Sequence, residues 1–98
     1  MTRDAALAIL RPLEPTLRAQ GIAHLYLFGS VARDEAREDS DVDLAFDVEP
    51  GAAFNAFDQG RLSVELTDAL GTQAGFVERD MLSAVIAKYV AADLVQIF

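Results

Sequence analysis

Seven consecutive residues, Ile22 to Phe28, are apolar except for His24, and a glycine closes the run at each end, Gly21 before it and Gly29 after it. That length and those boundaries fit one buried strand. Directly behind it, Gly29-Ser30 opens a stretch, Ser30 to Ala36, that reads as a short helix. The segment Asp41-Val42-Asp43-Leu44-Ala45-Phe46 then reads as a second strand, Asp41–Phe46. A strand, a tight turn, a helix and a strand in immediate succession commit the middle of the chain to a small α/β unit.

The flanks supply the remaining elements. From Thr2 to about Gln20, Leu7, Leu10, Leu13 and Leu17 recur at helical spacing, with Thr2 placed to cap the start and Gly21 to stop the end. Pro12 and Pro15 interrupt the pattern, and an interior proline costs about 3 kcal/mol and removes a backbone donor. A kink or two short helices meeting near Arg11 is expected. After a turn at Pro50-Gly51, the residues Phe54, Phe57, Leu62, Leu66 and Leu70 mark a helix over Ala53–Leu70. A strand over Leu62–Thr67 is the alternative, and length and the flanking Ala and Asp residues favour the helix. Gln73–Glu78 reads as a third strand, Asp80–Ala92 as a helix and Leu94–Phe98 as a short last strand. With no internal repeat or linker, residues 1–98 read as a single α/β (α+β) domain around a small mixed sheet. A chain of this size buries only about two-thirds of its unfolded surface, so no deep two-domain cleft is expected.

Composition removes several chemistries. There is no cysteine and one histidine, His24, which excludes disulfides, thiolate nucleophiles and Cys-ligated zinc and leaves little for a catalytic triad. Any metal would be held by carboxylates, a donor set that favours Mg²⁺, Mn²⁺ or Ca²⁺. The net charge of −8, from sixteen acidic against eight basic residues, argues against tracking a nucleic-acid backbone, so no direct DNA binding is expected. No run approaches the ~18 apolar residues of a membrane span, and Met1-Thr-Arg-Asp lacks the order of a signal peptide, so the expected location is the cytoplasm. The hydrophobic share of 52% is high enough to anticipate an apolar surface that faces a partner.

Two local features carry chemistry. Absence of a side chain at Gly29 lets backbone approach a phosphate, while the start of the following helix offers free N–H groups and Ser30 adds a hydroxyl. Gly-Ser is also common in ordinary turns, and no Gly-Lys-Ser/Thr follows to make a P-loop. Asp41 and Asp43 are the stronger signal: on a strand, residues i and i+2 project from one face with Cα atoms about 6.6 Å apart. Carboxylates that close can share a pair of cations, the arrangement that clamps attacking and leaving oxygens in nucleotidyl transfer. The bland reading is an exposed Asp-x-Asp on a solvated strand, although aspartate is disfavoured in strands and two ask for a reason. Arg33 could reach back to a phosphate or lock the acidic segment by an ion pair, and the two readings weigh equally. Arg37 reads as balancing Glu35, Glu38 and Asp39 on the surface, His24 as a packed strand residue, and Lys88 as a solvated helix residue.

Taken together, Gly29-Ser30-Val31-Ala32-Arg33, a spacer, and Ser40-Asp41-Val42-Asp43-Leu44 resemble the signature of the minimal nucleotidyltransferase (MNT) branch of the polymerase-beta-like nucleotidyltransferases. The resemblance covers nearly the whole chain. It implies a nucleotidyltransferase fold, a small mixed sheet with helices packed mainly on one face, binding ATP or another NTP with Mg²⁺, two ions in all. It places Gly29, Ser30, Arg33 and Ser40 at the nucleotide phosphates and makes Asp41 and Asp43 the catalytic metal ligands. Many proteins of this kind are antitoxins paired with a HEPN-type ribonuclease toxin, a hetero-oligomeric partner that they neutralise by transferring AMP to a tyrosine hydroxyl or by forming a complex.

The chain departs from that signature twice. The family carries a third aspartate on the later strand, and the matching position here is Gly75. A base at that place contributes roughly 10²–10⁴-fold, so its loss is expected to spare nucleotide binding more than chemistry. Glu78, three residues along the strand, would face the other way, and Glu65 and Asp68 would approach only if their helix overhung the site. Asp34 stands where the family commonly has glycine, and its charge near the phosphate turn is expected to weaken triphosphate binding unless Arg33 or Arg37 compensates. Three functions compete: an active NMP transferase, a catalytically weakened antitoxin that binds its toxin, and an acidic α/β domain with no nucleotide role.

Overall fold

Pro12 and Pro15 shape the N-terminal arm. In the computed structural model, which describes residues 1–98, helix α1 (Arg3–Leu10) passes through a 3₁₀ turn at Arg11–Leu13 into helix α2 (Glu14–Ala19). Each proline lies in the first turn of its segment, where the missing N–H would have had no intrahelical partner. The expected break near Arg11 is therefore a turn with little backbone cost. Thr2 caps α1 as anticipated, its hydroxyl accepting from the Ala5 N–H at 3.1 Å.

Four strands form one sheet: β1 (Ile22–Phe28), β2 (Val42–Val48), β3 (Ala74–Glu78) and β4 (Val95–Gln96), in the order β3-β2-β1-β4. β1 runs antiparallel to β2 and β4, whereas β2 and β3 are parallel, so their connection must cross over a face of the sheet. Helix α4 (Ala56–Leu70) makes that crossing and settles the choice over Leu62–Thr67 as helix. It starts on a capping box: the Asn55 side chain accepts from the Phe57 and Asp58 N–H groups, and Asp58 accepts from the Asn55 N–H.

Alternation along the strands divides the sheet into two faces. Leu25, Leu27, Val42, Leu44 and Phe46 are fully buried and join Leu62, Leu66 and Leu70 of α4 and Ala6, Leu10 and Leu17 of the N-terminal helices in one core. Phe46 is its centre, stacked on Phe76 at 4.2 Å and edge-on to Phe54 at 5.4 Å. The opposite face carries Tyr26, Asp43, Ala45, Asp47, Gly75 and Val77 by register. Helix α5 (Ala84–Asp93) rests against β1 and against the four-residue helix α3 (Gly29–Ala32).

Several expectations move by a few residues. The helix anticipated over Ser30–Ala36 stops at Ala32, because Asp34 takes the left-handed conformation (φ 61°) and turns the chain. The strand anticipated over Asp41–Phe46 starts at Val42 and continues to Val48, which leaves Asp41 just outside its end. The helix anticipated from Asp80 begins at Ala84, after a 3₁₀ turn at Arg79–Met81, where the Ser83 hydroxyl caps it. His24, read as a packed residue, is exposed: a bulge between Ile22 and His24 sits at the strand's start, and the ring lies on the open side at 6.2 Å from Tyr26. Lys88 is solvated as read. No helix is long and apolar enough to cross a membrane.

Candidate functional site

Asp43 sits at the end of β2 with Phe28 of β1 opposite on one side and Gly75 of β3 on the other. Both of its side-chain oxygens face glycine. Gly29, at φ +77°, packs so close that a Cβ there would collide with Oδ2 and lie 3.3 Å from Cγ; a Cβ at Gly75 would lie 3.2 Å from Oδ1. The position the resemblance assigns to a third aspartate is therefore next to Asp43 in space, and here it holds no side chain. Burial raises the Asp43 pKa first, the neighbouring charge of Asp41 raises it further, and Arg33 opposes both. No hydrogen bond relieves it. A half-buried carboxylate next to a second, exposed one and without a protein donor is a donor set that fits Mg²⁺, which is commonly held by one or two carboxylates plus substrate phosphates.

The other sequence-selected residues arrange themselves around this point unevenly. Gly29 and Ser30 begin α3, one turn long, whose first N–H groups have no intrahelical partner. Arg33, at its end, donates to Asp93 of α5 at 2.6 Å and to Glu35 at 3.1 Å, so in this state it follows the ion-pair reading while its charge still reaches Asp43. Ser40 closes the turn before β2: its hydroxyl accepts from the Arg37 N–H at 2.9 Å. Arg37 makes no ion pair with Glu35, Glu38 or Asp39 through its side chain, and these groups stay solvated. Asp34 is directed to the N-terminus of α1, where its Oδ1 accepts from the Arg3 N–H at 3.0 Å. That contact uses the added carboxylate as a brace between α1 and the turn.

A second polar group on the same face escaped sequence reading. Asp47, four residues beyond Asp43, accepts two bonds from Arg79, at 2.9 and 2.8 Å, and one from the Tyr26 hydroxyl at 3.1 Å. The Arg79 guanidinium also lies 4.8 Å from the centre of the Tyr26 ring. Burial first, then the Asp47 hydrogen bond and charge, raise the Tyr26 pKa. The alternation Asp41, Asp43, Ala45, Asp47 was a legible sign of Asp47; its partners lie too far along the chain for any spacing to reveal. The largest groove, about 510 Å³ among residues such as Gln20, Glu49 and Arg61, lies at the opposite end of β1 and β2 from Asp43. The aspartates lie at the other end of the sheet, Asp41 exposed and Asp43 half-buried.

Comparisons with known proteins bear on the family and the fold. Residues 12–98 match the family model described as "Polymerase beta, Nucleotidyltransferase". A protein of Thermococcus cleftensis named protein adenylyltransferase MntA is 33% identical over 98 residues, covering 99% of this chain and 97% of the relative. A solved structure of a candidate minimal nucleotidyltransferase superposes with a TM-score of 0.80 at 30% identity, over 97% of this chain and 95% of the other. A further structure, the tri-AMPylated HEPN toxin of Shewanella oneidensis with its MNT antitoxin, shares the fold at a TM-score of 0.70 and 20% identity, over 95% of this chain and 71% of that one. With the match spanning all but the first helix, the chain belongs to the polymerase beta nucleotidyltransferase family.

Proposed function

We propose that this protein transfers AMP from ATP, with Mg²⁺, to a hydroxyl of a HEPN-type toxin and serves as its antitoxin. The observation that carries the reading is the Asp43 carboxylate, half-buried, without a hydrogen bond and enclosed by Gly29 and Gly75. Such a group is costly in the free chain and finds its counter-charge in a metal–nucleotide complex. Asp41 and Asp43 would hold the metal, whose contribution is to polarise the phosphoryl oxygens and neutralise charge on the leaving pyrophosphate. Gly29 gives room for the triphosphate, and Ser30 and the free N–H groups of α3 bind its oxygens. Arg33, held by Asp93 and Glu35, adds positive charge beside the phosphates, and Ser40 holds the turn that presents Asp41. The name of the Thermococcus relative supports adenylyl transfer to protein, and the Shewanella complex supports a HEPN toxin as partner. Met81, Val85, Ile86 and Tyr89, all large, apolar and exposed, are consistent with a protein surface resting on or beside α5.

The test is incorporation of label from α-labelled ATP into a HEPN toxin encoded beside this gene. Asp43→Ala is expected to lower the rate by ~10²-fold or more, the loss of several kcal/mol of charge stabilisation. Failure of the unaltered protein to label a verified partner overturns the reading. Gly75 favours a second one, in which turnover is weak and neutralisation proceeds through complex formation. Toxin neutralisation that survives Asp41→Ala with Asp43→Ala together would establish that alternative.

A further inference from the structure

We infer that this chain holds one divalent cation with its nucleotide, not two, and that Gly75 is the position that sets the number. The inference rests on the nucleotidyltransferase reading and concerns the ligand count of the same site. Two ions about 3.5–4 Å apart need a carboxylate between them and further ligands of their own. Asp43 could bridge, because its oxygens point in two directions, Oδ2 towards Gly29 and Oδ1 towards Gly75. Asp41, whose charge reaches Asp43, and the nucleotide phosphates would complete the ligand set of one ion. On the Oδ1 side the next ligand would have to come from β3, and the residue in register with Asp43 there is glycine.

No other acid takes its place. Glu78 is in register with Phe46, on the face that points away from Asp43. Glu65 and Asp68 belong to α4, which packs on that same far face through Leu62, Leu66 and Leu70. Asp47 is engaged by Arg79 and Tyr26, and Asp93 and Glu35 by Arg33. Gln73, the neighbour of Gly75 on the open face, is neutral, and its side-chain amide donates to the Ala74 carbonyl. No cluster of three or more acidic or histidine side chains within metal-binding reach exists anywhere in the chain. The positive charge that does reach Asp43 is Arg33, which is fixed and protein-borne.

The experiment counts Mn²⁺ by electron paramagnetic resonance and calorimetry in the full chain with a non-hydrolysable ATP analogue. One Mn²⁺ per chain is expected, with the spectrum of an isolated ion. Gly75→Asp is expected to bind two, with the exchange-coupled signal of ions a few ångströms apart, and Gly75→Asn, of equal size and no charge, to remain at one. Two coupled ions in the unaltered chain overturn the inference. A folded Gly75→Asp that still holds a single ion overturns the role given to Gly75. Absence of any nucleotide-dependent Mn²⁺ binding would instead count against the nucleotidyltransferase reading itself.

Discussion

Gly29 and Gly75 leave Asp43 uncovered by side chains yet close to two strands, so it loses water on the protein side and gains no donor. Asp43→Asn removes the charge and the repulsion by Asp41. Its thermal unfolding midpoint in EDTA is expected to exceed that of the unaltered protein, while stabilisation by Mg²⁺ and ATP disappears. A lower midpoint in EDTA would mean that the charge is satisfied in a way the structure does not contain. Tyr26 yields a prediction with a definite sign. Its pKa is raised on folding by burial and by Asp47, so the folded chain holds the phenolic proton more tightly than the unfolded one. The associated stability is complete below the unfolded value of about 10 and is lost as pH rises through the folded value. Urea unfolding followed from neutral to strongly alkaline pH is expected to show a decline that is smaller in Tyr26→Phe. Both residues lie on strands predicted from apolar pattern, but only the register shows what each one faces.

At the scale of elements, the chain combines strong local signals with distant clasps. Helix α4 was legible because its periodicity is long, but its start lies at Ala56 and not Ala53, where Asn55 and Asp58 satisfy each other's backbone in a capping box. The first N–H groups depend on that pair, and Asp58 has its pKa lowered chiefly by the Asn55 backbone bond. Asn55→Ala is expected to cost about 1 kcal/mol, read as a shift in urea midpoint with an unchanged slope. The short helix α3 ends at Ala32 although Arg33 to Ala36 contain nothing that forbids a helix. Asp34 ends it, drawn into the left-handed region and held by the Arg3 N–H of α1, a contact spanning 31 positions. Helix α5 is tied to the site in the same long-range manner, by Arg33 to Asp93 at 2.6 Å, and its neighbouring 3₁₀ turn by Arg79 to Asp47. None of these partners is marked by spacing along the chain.

For the whole molecule, the core and the site divide the sheet between them. Burying Leu44 and Phe46 on one face obliges Asp43, Ala45 and Asp47 to point to the other, so the packing that stabilises the fold also presents the carboxylates. Phe46→Ala, at the stacked centre of the core, is expected to lower stability by about 3–5 kcal/mol in urea unfolding, a large fraction of the total for a chain this size. Most of the elements, the Gly29-Ser30 turn and the alternation of Asp41 and Asp43 with apolar residues can be read from neighbours a few positions apart. Folding in three dimensions is what sets Gly75 beside Asp43, holds Arg33 to Asp93, braces α1 with Asp34 and leaves His24 exposed. Those outcomes follow from a parallel strand register imposed by α4 and from side chains tens of residues apart meeting when apolar faces are buried. Local pattern encodes which face a residue takes, and global packing selects what it meets there.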